Sequence, residues 1–176
     1  MESKWMLYTK RADFEKISAR FHISPVLARI IINRDIKEED FSLYLKSDLS
    51  LMHDAGSLYG VEDAYSKIMS EIKKGNKIRV VGDYDIDGVC SSYILVKSLR
   101  RFGADADVRI PDRIKDGYGI NDNIINEAAN DKISMIITCD NGIAAHSQME
   151  LARKLGIKVI ITDHHEVYQE EGKDYL

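Results

Sequence analysis

Three short segments of this sequence carry most of the side chains that could do chemistry, and each directly follows an apolar run. The segments are Asp83-Tyr-Asp85-Ile-Asp87-Gly88, Asp140-Asn141-Gly142 and Asp163-His164-His165. If the apolar runs are parallel strands, their carboxyl ends share one edge of a sheet, and ligands bind in the crevice beyond that edge. The pattern therefore places five aspartates and two histidines together.

Such a cluster of carboxylates predicts a bound cation. Carboxylates at close range cannot all stay ionised without one, because like charges raise one another's pKa. Aspartate with a little histidine suits Mn²⁺ or Mg²⁺, whereas Zn²⁺ sites rely on cysteine and histidine. Two such ions about 3.5–4 Å apart can clamp a phosphate and lower the pKa of a bridging water. The predicted chemistry is phosphoester hydrolysis at a centre of two divalent ions.

Other interpretations of the same residues fit the sequence less well. An EF-hand loop starting at Asp83 would need glutamate at its twelfth position, which is Ile94, and would follow a helix. A phosphatase of the haloacid-dehalogenase type has Asp-x-Asp after its first strand but does not need a later pair of histidines. No GxGxxG follows the first strand, which argues against a dinucleotide site. Aspartates that only cap helices remain the alternative without chemistry.

The elements that would position these residues begin at Val61. The apolar residues of 61–74 recur at helical spacing, and Gly75-Asn76 ends the helix. Strands are predicted at 77–81, 106–110, 134–138 and 157–162, and helices near 88–102, 122–130 and 144–155. Helices that alternate with nearly continuous apolar strands are typical of βαβ units. We therefore predict an α/β fold with a parallel sheet flanked by helices.

The first sixty residues lack strand alternation and are predicted to form a small helical segment. Ser24 is an N-cap followed by Pro25 at the first helical position. A second short helix is predicted over 38–46. We accordingly divide the chain into a helical amino-terminal segment, 1–60, and a catalytic domain, 61–176.

Composition narrows the class of protein. The chain has 176 residues, 44% of them hydrophobic, and a formal net charge of −4. No apolar run approaches the roughly 20 residues that span a bilayer, and the start lacks a signal-peptide core. Cys90 and Cys139 form no CxxC pair, which is typical of reduced thiols in a cytoplasmic protein. The acidic total does not exclude a nucleic-acid enzyme, because such an enzyme needs only a local basic track.

In combination, the three motifs resemble those of the DHH phosphoesterases. Asp163-His164-His165 is similar to the motif that names this family, and the segments 82–88 and 139–142 resemble its first and second motifs. Within the family, 81–89, 111–119 and the helical leader most resemble the amino-terminal part of the RecJ subfamily of exonucleases. The resemblance covers nearly the whole chain and implies a Rossmann-like DHH domain.

The resemblance also implies roles for the motif residues. The implied metal ligands are Asp85, Asp87, Asp140 and His164. Asp140 would bridge two ions of Mn²⁺ or Mg²⁺. Asp83 would support the centre as a ligand or as an acceptor behind the ligands, and His165 would stabilise charge on the phosphate in the transition state. Many members have a further histidine where this chain has Val81, which we interpret as a character of the subfamily.

The loop at 112–119 is predicted to contact the substrate. Arg113 and Lys115 can neutralise backbone phosphates, and the ring of Tyr118 can stack on a base. A surface loop that uses Gly117 and Gly119 for its turn geometry is an equally good interpretation.

The predicted function is metal-dependent 5′-to-3′ exonucleolytic hydrolysis of single-stranded DNA, in DNA repair and recombination. One alternative is a DHH phosphoesterase acting on small nucleotides, oligonucleotides or pyrophosphate. Another is a catalytically silent DHH scaffold in a replication complex, against which the retention of every acidic ligand visible in this chain argues. By resemblance, the partners would be single-stranded DNA, single-strand-binding protein and a RecQ-type helicase, with no membrane.

The family pattern continues beyond the third motif with one more metal-binding aspartate and a DHHA1 domain, and RecJ adds an OB-fold. We therefore expect a chain that ends at Leu176 to be the first part of a longer protein. We predict that this chain alone binds Mn²⁺ weakly and has little or no nuclease activity, because its ligand set is incomplete. Calorimetric titration with Mn²⁺ tests this, and two tight sites would contradict it.

Overall fold

The structure, a computed structural model, describes residues 10–46 and 48–166. Contacts between residues divide the chain into two compact units, Met1–Ser57 and Leu58–Leu176. Within the described residues, no helix combines the length and the hydropathy needed to cross a membrane.

The first unit is helical. Its helices are α1 (Phe14–Phe21), α2 (Pro25–Asn33) and α3 (Phe41–Leu45), with 3-10 turns at Glu38–Asp40, Leu49–Leu51 and Ala55–Ser57. Ser24 caps α2 by accepting a hydrogen bond from the backbone N–H of Leu27, with Pro25 at the first helical position, as predicted. The helix predicted over 38–46 is instead a 3-10 turn followed by the short α3. Buried Ile17, Ala28, Ile31 and Phe41 form the core of this unit.

The second unit is an α/β domain with a four-stranded parallel sheet. Its helices are α4 (Val61–Lys73), α5 (Ile86–Arg101), α6 (Asp122–Asn130) and α7 (His146–Lys154). Its strands are β1 (Lys77–Val81), β2 (Ala106–Arg109), β3 (Ile133–Cys139) and β4 (Lys158–Thr162). The order across the sheet is β2-β1-β3-β4, and every pair is parallel. The predicted fold class is therefore confirmed.

Apolar side chains bury both faces of the sheet. Ile78 and Val80 of β1 pack in one cluster with Val96 and Leu99 of α5. Val81 belongs to the other cluster, with residues of α6 and α7. Because neighbouring residues of a strand point to opposite faces and both faces are covered, β1 has buried apolar residues at Ile78, Val80 and Val81, interrupted by Arg79.

The strand order creates a switch point between β1 and β3. The chain leaves β1 for β2 on one side and then returns to place β3 on the other side of β1. Val81 is level with Thr138, and Cys139 is level with Thr162, so the three motifs begin at nearly the same height. A crevice opens at such a point beyond the carboxyl ends of the strands, because the connections diverge there.

At the amino ends of the strands, buried Glu71 links α4 to the sheet. Its side chain is 1% exposed and accepts hydrogen bonds from Lys158 at 2.7 Å, Asn76 at 2.8 Å and Ser134 at 3.1 Å. The bond from Lys158, with those from Asn76 and Ser134, outweighs burial and lowers the pKa of Glu71 to about 2. The carboxylate thus joins the end of α4 to the beginnings of β3 and β4.

We predict that Glu71→Gln destabilises the protein by about 2 kcal/mol at pH 7, because the ionised carboxylate is favoured in the folded state. The folded pKa lies below the ordinary 4.5, so this stabilisation is complete above pH 4.5 and is lost as the pH falls towards 2. Urea unfolding at pH 7, 4 and 3 should show that the difference in free energy of unfolding between wild type and Glu71→Gln decreases as the pH falls. Glu62→Gln, on the exposed surface of α4, is the control, and a gap that does not change with pH would contradict the prediction.

Candidate metal centre

Asp140 lies at the centre of the crevice, directly after β3. Its backbone has φ +62°, a left-handed conformation that aspartate tolerates better than most residues. Its N–H donates to the carbonyl of Thr162 at 3.0 Å, which ties the turn to β4. Burial, followed by the charge of Asp85, raises the pKa of Asp140. This carboxylate is therefore held where it is costly to ionise without a cation.

Two groups of potential ligand atoms meet at Asp140. One comprises Asp83, Asp85 and Asp140, the other Asp140, His164 and His165, and the atoms of each group lie within 4.8 Å of one another. The Nε2 atom of His164 is 2.9 Å from Oδ1 of Asp140. Asp140 is the member that the two groups share, as expected of a carboxylate that bridges two ions.

The donors of the first group fit a hard divalent cation. Asp83 is 1% exposed, yet its Oδ1 has no hydrogen-bond partner among the described residues. An unpaired buried carboxylate oxygen is costly, and a cation would compensate for it. The N–H of Gly88 donates to Asp85 at 3.1 Å and lowers the pKa of Asp85, which keeps that carboxylate ionised. Oxygen-rich sites of this kind suit Mn²⁺ or Mg²⁺.

Two glycines allow α5 to begin close behind these carboxylates. A Cβ atom at Gly88 would lie 2.5 Å from the backbone nitrogen of Asp83, and one at Gly82 would lie 2.0 Å from the hydroxyl of Ser92. Asp85 is the N-cap of α5, so the helix begins at Ile86, two residues earlier than predicted. Positive helix-end charge near the acidic turn favours anionic side chains there.

Asp163 holds the third motif in place. Its Oδ1 accepts hydrogen bonds from the backbone N–H of His164 at 2.8 Å and from Nδ1 of His165 at 2.7 Å. Its Oδ2 accepts from the N–H of Ile143 at 3.0 Å. Burial raises the pKa of Asp163, but these hydrogen bonds outweigh burial and leave its pKa lowered. In turn, the hydrogen bond to Asp163 raises the pKa of His165.

Asn141 fixes the second motif relative to the first. Its amide nitrogen donates to the carbonyl of Val81 at 3.1 Å and to that of Cys139 at 2.8 Å. Its amide oxygen accepts from the N–H of Ile120 at 3.2 Å. The ends of β1 and β3 and the end of the 112–119 loop are thereby joined at one buried side chain.

Within the 112–119 loop, Tyr118 reaches the centre. Its hydroxyl lies 3.2 Å from Nε2 of His165 and 3.4 Å from the carbonyl oxygen of Asp140. Burial and then the charges of Asp83 and Asp140 raise the pKa of Tyr118 to about 12, so the hydroxyl stays protonated. Arg113 is exposed, and its Cζ lies 5.3 Å from the centroid of the Tyr84 ring.

The predicted site residues are thus only partly brought together. Asp83, Asp85, Asp140, His164 and His165 share one cluster, and Tyr118 contacts it. Asp87 belongs to neither ligand group and lies exposed in the first turn of α5, so its role as a ligand stays a prediction. Lys115 is exposed, and among the described residues its backbone N–H donates a hydrogen bond to Asp112.

The hydrogen bonds of Asp163 and Asn141 and the ring contacts of Tyr84 were not predicted. Asp163 and Asn141 lie within the motifs, but many of their hydrogen-bond partners are backbone groups. Only the folded structure shows which backbone groups these are. Tyr84 lies between two of the predicted acidic residues, and its contact with Arg113 forms only in the folded chain.

We predict that Asp163→Asn lowers the pKa of His165, because the imidazole loses the anionic acceptor that favours its charged form. Titration of the imidazole by NMR in metal-free buffer measures this. Asp131→Asn, which alters a carboxylate paired with Arg79 near the other edge of the sheet, is the control. An unchanged pKa for His165 would show that Asp163 does not govern its protonation.

Comparison with known proteins agrees with this geometry. Residues 77–175 match the family described as the DHH family, N-terminal domain. Over 170 residues the chain is 35% identical to the single-stranded-DNA-specific exonuclease RecJ of Bacillus subtilis (strain 168), covering 94% of this chain and 22% of that protein.

Two crystal structures are also similar. One, of exonuclease RecJ bound to manganese, gives a TM-score of 0.61 at 34% identity and covers 64% of this chain and 29% of that one. The other, of RecJ in complex with Mn²⁺ from Thermus thermophilus, gives 0.58 at 26% identity and covers 93% and 23%. This chain spans less than a third of each of the three proteins. The resemblance predicted from the motifs is confirmed, and the chain belongs to the DHH family.

Proposed function

We propose that this chain is the metal-binding part of a phosphodiesterase that removes nucleotides from single-stranded DNA in the 5′-to-3′ direction. The observation that carries the proposal is the cluster around Asp140, where two groups of potential ligands share one buried carboxylate. Similarity to RecJ exonucleases, whose structures hold manganese, supports the identity of the metal and the substrate class.

The residues that would hold the metal are those around the crevice. Asp83, Asp85 and Asp140 would bind one divalent cation, and Asp140 with His164 would bind a second. Cations there supply two effects, a lowered pKa for a water molecule and stabilisation of charge on the phosphate. Asp85 is ready for this role because the N–H of Gly88 favours its ionised form.

His165 would act on the substrate phosphate. Asp163 accepts a hydrogen bond from Nδ1 and raises the pKa of the ring, so the imidazolium form is favoured. In that form Nε2 carries a proton that can be donated to a phosphate oxygen as negative charge increases. Tyr118, which lies 3.2 Å from Nε2, keeps its own proton and can serve as a second donor.

The loop beside the centre suits a single strand better than a duplex. Arg113 supplies a cation for backbone phosphate, Lys115 supplies a second, and both are exposed. The ring of Tyr118 is 57% exposed and can stack on an unpaired base, which a duplex does not offer. We further propose a role in DNA repair and recombination in the cytoplasm, with single-strand-binding protein and a RecQ-type helicase as partners.

The test is a nuclease assay on the full-length gene product, comparing wild type with Asp140→Ala in Mn²⁺. We expect the substitution to lower the rate on single-stranded oligonucleotides by more than about a hundredfold, because both ligand groups lose their shared member. The matched control is Asp105→Ala, which removes an exposed carboxylate at the opposite edge of the sheet. Equal rates for wild type and Asp140→Ala would refute the catalytic proposal. Cleavage of dinucleotides or pyrophosphate in preference to longer strands would favour the small-substrate alternative.

A further inference from the structure

Tyr84 is the one residue of the acidic turn at 83–85 whose side chain is not acidic. It lies between Asp83, which is buried, and Asp85, which caps α5, so its backbone is held on both sides. Its ring meets the ring of Tyr118 edge to face, with centroids 6.2 Å apart and planes at 88°. The direction of the Tyr84 ring is therefore restricted by the metal-binding turn and by the loop opposite.

Arg113 also contacts the Tyr84 ring. Its guanidinium carbon lies 5.3 Å from the centroid of the Tyr84 ring, within the range of a cation–π interaction. Over 10–46 and 48–166, no salt bridge or hydrogen bond involves the Arg113 side chain. By contrast, Arg109 at the beginning of the same region is held by Asp116 and Glu127.

The choice of an aromatic partner has a chemical consequence. A carboxylate would neutralise the guanidinium and occupy its N–H donors, as happens at Arg109. A ring face attracts the cation but leaves all its N–H groups available for a planar, bidentate acceptor such as phosphate. The guanidinium beside Tyr84 is thus held in place and still free to bind an anion.

The loop that carries Arg113 is itself ordered by hydrogen bonds. Asp112 accepts from the N–H groups of Ile114 and Lys115, and Asp116 accepts from the N–H of Asp112 at 2.8 Å. The loop then continues to Tyr118, whose ring contacts His165 at a centroid distance of 6.0 Å. Arg113 is therefore linked to the centre through Tyr84 and Tyr118 together.

From this geometry we infer that Tyr84 is a positioning residue, which holds the Arg113 guanidinium towards the centre so that it can bind a phosphate group of the nucleotide substrate. The inference rests on the proposed function, since it assumes that the substrate carries phosphates. Tyr84 holds the guanidinium of Arg113 through its ring face, and its hydroxyl is not required.

The test uses the full-length gene product with Mn²⁺ and single-stranded oligothymidylate. Tyr84→Leu removes the ring face, and we expect KM to rise about two- to fivefold, the range of an exposed cation–π contact, with the effect on KM rather than on kcat. Tyr84→Phe keeps the ring face and should restore the KM of wild type. In Arg113→Ala, the added Tyr84→Leu substitution should change nothing further, because the group that Tyr84 holds is absent.

Several outcomes would overturn the inference. If Tyr84→Leu has the KM of wild type while Arg113→Ala raises it, Arg113 binds phosphate without help from Tyr84. If the two substitutions have additive effects, Tyr84 acts through something other than Arg113. If Tyr84→Leu lowers kcat and weakens Mn²⁺ binding, its role is to support the acidic turn.

A second measurement does not depend on activity. The guanidinium carbon of Arg113 lies 5.3 Å from the centroid of the Tyr84 ring, so the NMR resonances at the end of the Arg113 side chain should be shifted upfield by the ring current, lose that shift in Tyr84→Leu and keep it in Tyr84→Phe. A resonance that is the same in all three proteins would overturn the inference even if no variant hydrolyses DNA. Absence of hydrolysis by the wild type would instead count against the proposed function alone.

Discussion

The mutual repulsion of Asp83, Asp85 and Asp140 is the constraint on which the rest of this domain depends. The switch point between β1 and β3 brings these carboxylates together, and burial makes ionisation of Asp140 more costly. The surrounding structure limits how far these three carboxylates can move apart. Gly82 and Gly88 let α5 approach the turn closely, and Asn141 joins the ends of β1 and β3. The domain therefore holds these carboxylates in an arrangement that a bound cation would make more favourable.

Buried charged residues have side-chain partners away from the crevice, but not all of them do in the crevice. Away from the crevice, Glu71 is paired with Lys158, and Arg79 is paired with Asp107 and Asp131, so these buried charges are satisfied by side chains of the chain itself. In the crevice, Asp83 keeps an oxygen without a partner among the described residues. Removing one partner of a buried ion pair would leave the other charge uncompensated, so the pairs of Glu71 and Arg79 help to maintain the fold. The unpaired oxygen of Asp83 is instead available to a ligand.

The sequence allowed the fold and the acidic cluster to be predicted because both depend on local patterns. Apolar runs indicated the strands, and parallel pairing brings their ends together whatever the details of the loops. The roles of Asp163 and Asn141 depend on where backbone N–H and carbonyl groups lie after folding, which no local pattern specifies. The resemblance implies that Asp87 is a ligand, and the structure places it in the first turn of α5, one residue after the helix begins at Ile86, so its role as a ligand stays a prediction. Tyr84 was overlooked because an aromatic residue in a turn has many possible partners, and its contact with Arg113 joins segments far apart in the chain.

His165 joins two parts of the centre. Its Nδ1 is held by Asp163, which is fixed by backbone groups on the strand side of the crevice. Its Nε2 faces the hydroxyl of Tyr118, which belongs to a loop. A phosphate oxygen can reach Nε2 only by sharing that position with the hydroxyl or by replacing it, because one ring nitrogen forms one short hydrogen bond. In the proposed role of His165, the position of the loop would therefore govern access to this histidine, and a contact that holds the loop would affect how readily it meets a substrate.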